Sequence, residues 1–294
     1  MHSPKHPGAD FLINIKSVLQ LIRVKQWYKN LLVLTPLLFG DLLFSLDVLF
    51  SVIIATLVFC AVSGIIYILN DIRDKERDSH HPKKLKRPLP SGAISVKEAL
   101  FLVVILFILT IIGLTHMNPL FGCVIGLYIV QNIAYTYWLK NVAIVDVIVI
   151  GVGFVLRVLA GCIVADVFLS PWLFTAAFLL ALLLGFSKRY SEIGIIESAI
   201  AHRPVLGEYN GIVLQAYLIL SATAVLMVYL IYAITGSHTS YFVLTIPFAI
   251  FGIFSFLSKS LISGLDPDDL LKEYAFLTNL LLWFAVVVLV LYGF

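Results

Sequence analysis

Runs of apolar residues long enough to cross a bilayer alternate with short polar connections along almost the whole chain. A spanning helix needs about 20 apolar residues. Windows of that length fall at 17–40, 47–69, 96–115, 118–138, 142–164, 170–187, 211–234, 240–258 and 273–293, nine in all. The first carries Arg23, Lys25 and Lys29, so its opening half is expected in the membrane interface and its spanning part near 31–39. The pattern predicts an all-α integral membrane protein, with residues 1–10 as a flexible tail and 11–294 as a single domain. Two long charged loops, 70–95 and 188–210, stand four spans apart, a weak sign of a two-fold repeat of four-helix units.

Composition sharpens this picture. Of 294 residues, 61% are apolar and 13% charged, against about 45–50% and about 25% in an ordinary globular domain. So few polar groups could not cover a soluble surface of this size. With nine spans, all of the 20 Lys and Arg except Arg157 fall on the N-terminal side of the membrane, which the positive-inside rule makes cytoplasmic. A miscounted span would scramble that split. The expected location is therefore the cell (inner or plasma) membrane, with the chain crossing it many times. A net charge of +3 does not suggest nucleic-acid binding. Cys60, Cys123 and Cys162 read as small apolar residues. No signal-peptide pattern opens the chain, and the mature protein is expected to start near Met1.

The second span runs directly into Asn70-Asp71-Ile72-Arg73-Asp74-Lys75-Glu76-Arg77-Asp78. Its aspartates stand at i, i+3 and i+7, within about 60° of one another around a helix that turns about 100° per residue. Crowded carboxylates repel unless a cation sits among them. Mg²⁺ suits such a place, because it takes oxygen ligands, keeps water and is completed by substrate phosphates. The plainer reading is a solvated helix end whose acids Arg73, Lys75 and Arg77 neutralise.

The Asn-Asp-x-x-Asp-x-x-x-Asp spacing resembles the signature of the UbiA superfamily of intramembrane prenyltransferases, along nearly the whole chain. The resemblance implies nine transmembrane helices around a central cavity, with cytoplasmic cap loops. It gives Asp71, Asp74 and Asp78 the task of holding Mg²⁺ on a pyrophosphate, and Asn70 the place of their neighbour in the motif. Arg87-Pro88-Leu89-Pro90-Ser91-Gly92 is also similar to that superfamily, which marks Arg87 as substrate-binding. Lys83 and Lys84 read as much as topology signals, and the His80–His81 pair as a solvated surface pair.

The second long loop opens Lys188-Arg189-Tyr190-Ser191-Glu192, with Glu197 further on. UbiA-type prenyltransferases carry a second Asp-x-x-x-Asp there, and this chain departs from that. Lys188 and Arg189 each share a helix face with Glu192, an arrangement that recognises anionic oxygens as readily as it binds metal. This stretch, the Arg23–Asn30 opening and Leu156–Gly161 resemble one branch of the superfamily. Its members move a phosphoribosyl group from 5-phosphoribosyl 1-pyrophosphate (PRPP) to a polyprenyl (decaprenyl-type) monophosphate. There the water-soluble substrate brings the pyrophosphate, and cations can meet the lipid phosphate directly. The product resembles a precursor of arabinosyl donors for cell-envelope glycans.

On that basis the expected substrate-binding residues are Lys25, Lys29, Asn30, Asn70, Arg87, Tyr137, Lys140, Arg157, Lys188, Arg189, Tyr190 and Glu192, beside Asp71, Asp74 and Asp78 as the catalytic metal ligands. Arg157 lies inside span five, where a charge costs at least about 2.5–3.5 kcal/mol, and needs a substrate phosphate or a partner on another helix. Asp146, about 16 Å away along the same helix, is too far to be that partner. Gly151, Gly153 and Gly161 read as close-packing positions. Tyr137 and Lys140 end span four, where an aromatic belt is the plainer reading. The expected partners are PRPP, polyprenyl phosphate and membrane lipid, with oligomeric state open. A prenyltransferase acting on an aromatic acceptor, or a membrane transporter or lipid-binding protein without chemistry, are the rival readings.

Overall fold

The computed structural model describes residues 15–79, 84–195, 207–236, 239–264 and 266–293. The tail at 1–10, His80, His81, Lys83 and Glu197 lie outside the described residues. Among those described there is no strand. The α-helices are α1 Ile15–Leu21, α2 Thr35–Phe39, α3 Leu46–Arg73, α4 Lys75–Ser79, α5 Val96–Thr115, α6 Pro119–Tyr137, α7 Val145–Ala165, α8 Pro171–Ile195, α9 Gly211–Ile231, α10 Ile246–Ser263 and α11 Tyr274–Tyr292.

Among the described residues, eight helical stretches are long and apolar enough to cross a bilayer, and they fall on the last eight of the nine expected spans. The chain is a multi-pass membrane protein. In a bilayer every backbone polar group must be satisfied internally, which helices of this length achieve. The first expected span differs. Residues 17–40 do not form one helix: α1 stops at Leu21, a 3-10 helix runs Val24–Leu34, and α2 is only five residues long. The break falls at Arg23, whose backbone takes φ 53, a left-handed conformation that closes a helix. Pro36 then restarts the chain as α2, its ring fitting a first turn where no amide donor is needed.

Contacts divide the chain into two compact units, Met1–Tyr28 with Leu57–His116, and Lys29–Thr56 with Met117–Phe294. In the first, Leu21, Ile22, Ile68, Leu89, Ile94 and Ala99 form one buried cluster. α5 is fixed at its start by a capping box in which Ser95 and Glu98 exchange hydrogen bonds. Along the rest of α5, Phe101, Val104, Phe107, Ile108 and Ile112 are exposed, as suits a helix bathed in lipid.

In the second unit α8 packs against both α7 and α9. Small residues set the spacing. A Cβ on Gly151 would lie 2.8 Å from the Phe178 ring, and one on Gly161 would collide with the Val33 carbonyl oxygen. At Gly161 the neighbour is backbone and admits only glycine, whereas at Gly151 and Gly153 the nearest atoms belong to the side chains of Phe178 and Gln131, the latter at 3.3 Å.

Candidate active site

The acidic stripe lies in the first unit. Helix α3 carries Asn70 and Asp71, and α4 carries Asp78, with Asp74 at the joint between them. Helical hydrogen bonds cross that joint, from the Asp74 amide to the Asn70 carbonyl and from the Asp78 amide to the Asp74 carbonyl. The stripe is therefore almost continuous. Asp71 and Asp78 are 3% and 1% exposed, so their charges need partners. Arg87 supplies one: its Nη1 donates to Asp71 Oδ1 at 3.2 Å and to Asp78 Oδ2 at 2.7 Å. Arg23 donates to the same Asp71 oxygen at 2.6 Å, its guanidinium lying over the Tyr67 ring. Lys84 stands 3.5 Å from Asp78 Oδ1. Asp74 turns elsewhere and pairs with Arg77.

The loop that delivers Arg87 is built from its own sequence. Leu89 is wholly buried and Ile94 nearly so, which pins the segment to the core. The Ile94 amide closes back on the Pro88 carbonyl, and Gly92 takes φ +76 to make the turn.

Two carboxylates thus converge on one cationic nitrogen. Among the described residues no three carboxylate, histidine or cysteine side chains gather closely enough to hold a metal ion. Asp71 and Asp78 nonetheless aim at a single positive charge, and Asp74 is partly exposed one turn away, so these are the oxygen donors that could take part in holding a divalent ion.

Among the described residues, the second unit holds three polar groups that contain site residues expected from the sequence. In the first, Arg189 is 1% exposed and Asp146 wholly buried. Arg189 Nε donates to Asp146 Oδ2 at 2.7 Å and Nη1 to Glu192 at 2.5 Å. The Tyr209 hydroxyl donates to Asp146 Oδ1 at 2.7 Å and accepts the Ile144 amide at 2.6 Å. Burial, opposed by that amide and reinforced by Asp146, raises the Tyr209 phenol well above its usual value, so it stays protonated and able to donate. Ile144, at φ 68, is strained into place at the start of α7. Tyr190 packs against the neighbouring cluster of Val147, Phe186, Tyr209 and Leu214.

The second group is Lys29, Lys188 and Asp268. Asp268 Oδ1 lies 2.9 Å from Lys29 Nζ and its Oδ2 lies 3.3 Å from Lys188 Nζ. The third centres on Arg157, which is 5% exposed. It donates to Asn30 Oδ1, the Gly153 carbonyl and the Tyr128 hydroxyl, each at 2.7 Å. Three hydrogen bonds and the Tyr128 ring offset the cost of a charge at this depth. The structure thus brings Arg157 to Asn30 and Tyr128, and Asp146 to Arg189.

Lys25 is exposed, Lys140 half-buried, and Tyr137 exposed with its ring against Trp138. Sequence reasoning named Asp146 only to exclude it as the partner of Arg157, and missed Arg23, Tyr128, Tyr209 and Asp268 as members of these groups. An acid inside an apolar span was a signal for Asp146. The Asp266-Pro267-Asp268-Asp269 run was one for Asp268. Nothing along the chain marks Tyr209.

A family model described as the UbiA prenyltransferase family matches residues 33–280. The chain is 36% identical over 229 residues to a decaprenyl-phosphate phosphoribosyltransferase of Corynebacterium glutamicum, covering 76% of this chain and 69% of that one. It is 32% identical over 244 residues to a protein of the same name from Mycobacterium tuberculosis, covering 80% and 81%. The fold is similar to that of a UbiA homolog from Archaeoglobus fulgidus bound to GPP and Mg²⁺, with a TM-score of 0.68 at 19% identity over 93% and 99% of the two chains.

Proposed function

The chain belongs to the UbiA prenyltransferase family, and on that premise we propose that it transfers the phosphoribosyl group of PRPP to a polyprenyl monophosphate and releases pyrophosphate. The observation that carries this reading is the likeness, over about four-fifths of the chain, to a protein named decaprenyl-phosphate phosphoribosyltransferase. The second charged segment agrees with it. Where a prenyl diphosphate held by metal would call for paired carboxylates, this chain presents Lys188 and Arg189. That departure counts against an aromatic prenyltransferase.

In this reaction a lipid phosphate oxygen forms a bond to ribose C1 while the bond from C1 to the pyrophosphate oxygen breaks, with inversion at C1. The attacking oxygen is already ionised at neutral pH, so no side chain need remove a proton. Asp71 and Asp78, with Asp74 beside them, would hold Mg²⁺. Bound there, Mg²⁺ would neutralise the charge that develops on the leaving pyrophosphate. Arg87 and Arg23 hold the two buried carboxylates in position through direct ion pairs. Lys29 and Lys188, whose side chains are 21% and 35% exposed, are assigned to a substrate phosphate. Arg189, enclosed by Asp146 and Glu192, is a positioning residue. Arg157 ties Asn30 to the Tyr128 hydroxyl, and Asn70, Tyr137, Lys140, Lys25 and Tyr190 complete the set assigned to substrate.

The reading includes nine spans about a central cavity with cytoplasmic cap loops, and it places the N-terminus and the charged loops on the cytoplasmic side of the cell membrane. The one-sided distribution of Lys and Arg supports that orientation. Incubating the purified protein with PRPP labelled in the ribose and with polyprenyl phosphate tests the proposal. Label must move into the lipid fraction, and label that stays in water rejects it.

A further inference from the structure

Asp268 lies in a short 3-10 turn, Pro267–Lys272, between α10 and α11. The turn is set by its own residues: Asp266 Oδ1 accepts the Asp268 amide at 3.0 Å, and Pro267 fixes the first position. Leu270 is buried in the cluster with Leu183, Leu218, Ala222 and Phe256, which anchors the turn on the α8 and α9 side. The Asp268 carboxylate is thereby held between two lysines that come from distant parts of the chain, one oxygen to each. Asp266 stands 3.7 Å from Lys188 as well.

Two lysines that share one carboxylate oxygen apiece form the pattern of an anion site whose place is taken by a side chain. The three groups remain reachable, at 21%, 26% and 35% side-chain exposure for Lys29, Asp268 and Lys188. Arg157 adds a smaller repulsion on Lys29 through space. A phosphate monoester carries about two negative charges near neutral pH and presents more acceptor oxygens than a carboxylate does, so it can replace Asp268 against both lysines.

We propose that Asp268 is a specificity-determining residue that competes with the substrate's phosphate monoester for Lys29 and Lys188, and must yield when that group binds. The inference rests on the phosphoribosyl-transfer reading for the identity of its ligand. In that reaction two such groups exist, the lipid phosphate and the ribose 5-phosphate. The shared chemistry is a phosphate monoester, and the test separates the two sources.

The measurement is equilibrium binding to the full-length protein in detergent, in one arm with farnesyl phosphate and in the other with ribose 5-phosphate. Asp268→Asn removes the competing charge while keeping the side chain's shape. It is expected to tighten binding about fivefold in one arm, the worth of a partly exposed ion pair. The arm that responds identifies the source. Asp268→Glu, which keeps the charge, is expected to bind more weakly than Asp268→Asn, and Lys188→Gln to weaken the responsive arm and cancel the gain in the double variant. Asp268→Ser serves the same purpose if the Asn variant fails to fold, as read by its melting transition. Unchanged or weaker binding by folded Asp268→Asn and Asp268→Ser in both arms overturns the proposal and makes Asp268 a support for the lysines. Because binding is read without turnover, this failure is separate from a failure to form phosphoribosyl lipid.

Discussion

Arg189 and Asp146 meet inside the protein with Nε and Oδ2 2.7 Å apart, although 43 positions separate them in sequence. The pair joins α8 to the start of α7, and Tyr209 and Glu192 complete its hydrogen bonding. A buried pair adds little net stability while intact, because desolvation offsets attraction, but losing one member strands a charge. Asp146→Ala is therefore expected to destabilise the fold by about 3–5 kcal/mol. Denaturant unfolding in detergent measures this. Replacing both residues, Asp146→Leu with Arg189→Met, is expected to recover most of the loss. An Asp146→Ala protein as stable as the wild type would deny the pair its structural role.

Close approach at Gly161 yields a second expectation. A methyl group there would collide with the backbone oxygen of Val33, and backbone cannot rotate away. Gly161→Ala is expected to cost about 1–3 kcal/mol or more through overpacking. The same substitution at Gly126, where nothing lies within 4 Å, is expected to be harmless. Melting temperatures of the two variants in one detergent make the comparison.

The apolar pattern made the last eight spans legible because hydrocarbon leaves a backbone few alternatives to a long helix. It does not show the break inside residues 17–40, where Arg23 adopts a left-handed backbone and reaches Asp71, a tertiary contact that no local pattern records. The stripe of Asp71, Asp74 and Asp78 was readable from spacing alone. That Asp71 and Asp78 converge on Arg87 while Asp74 leaves for Arg77 was not, since it depends on how the loop from Lys84 to Gly92 folds back. Asp146 and Asp268 were invisible as partners for the same reason: helical periodicity says which residues share a face, and not which helix that face meets.

Charge at the lysine pair should be visible in the pH dependence. Burial draws the Lys29 ammonium below its ordinary value of 10.5, Asp268 opposes this in part, and Lys188 and Arg157 add to it. Lys29 is a cation below its lowered pKa and neutral above it. Activity that needs the cation is therefore lost as pH rises, and lost earlier than an ordinary lysine would cause. The sign for stability is opposite: the charged form is the disfavoured one, so its cost is present at low pH and relieved as pH rises through the lowered pKa. A profile of kcat/KM for the lipid substrate should fall on an alkaline limb below pH 10.5, and Lys29→Arg should move that limb upward. A limb that stays in place in Lys29→Arg assigns it to another group.

The carboxylates can be separated by function. Asp71→Asn and Asp78→Asn are each expected to lower kcat by more than about a hundredfold, beyond the usual cost of losing a residue that merely orients a metal ligand. Asp74→Asn, whose partner is Arg77 on the exposed side, should cost less unless metal binding recruits it. Chelation of divalent ions should abolish turnover, and Mg²⁺ should restore it. Steady-state rates across a Mg²⁺ titration report all of these.

The central claim is transfer of phosphoribose to lipid phosphate, and mass spectrometry of the lipid products tests it most directly. Purified protein supplied with PRPP, Mg²⁺ and polyprenyl phosphate should yield one new lipid, heavier by a phosphoribosyl group, formed in step with pyrophosphate and missing when PRPP is withheld or when Asp71 is replaced by Asn. Pyrophosphate released without that lipid, or the same lipid formed at full rate by Asp71→Asn, would contradict the account.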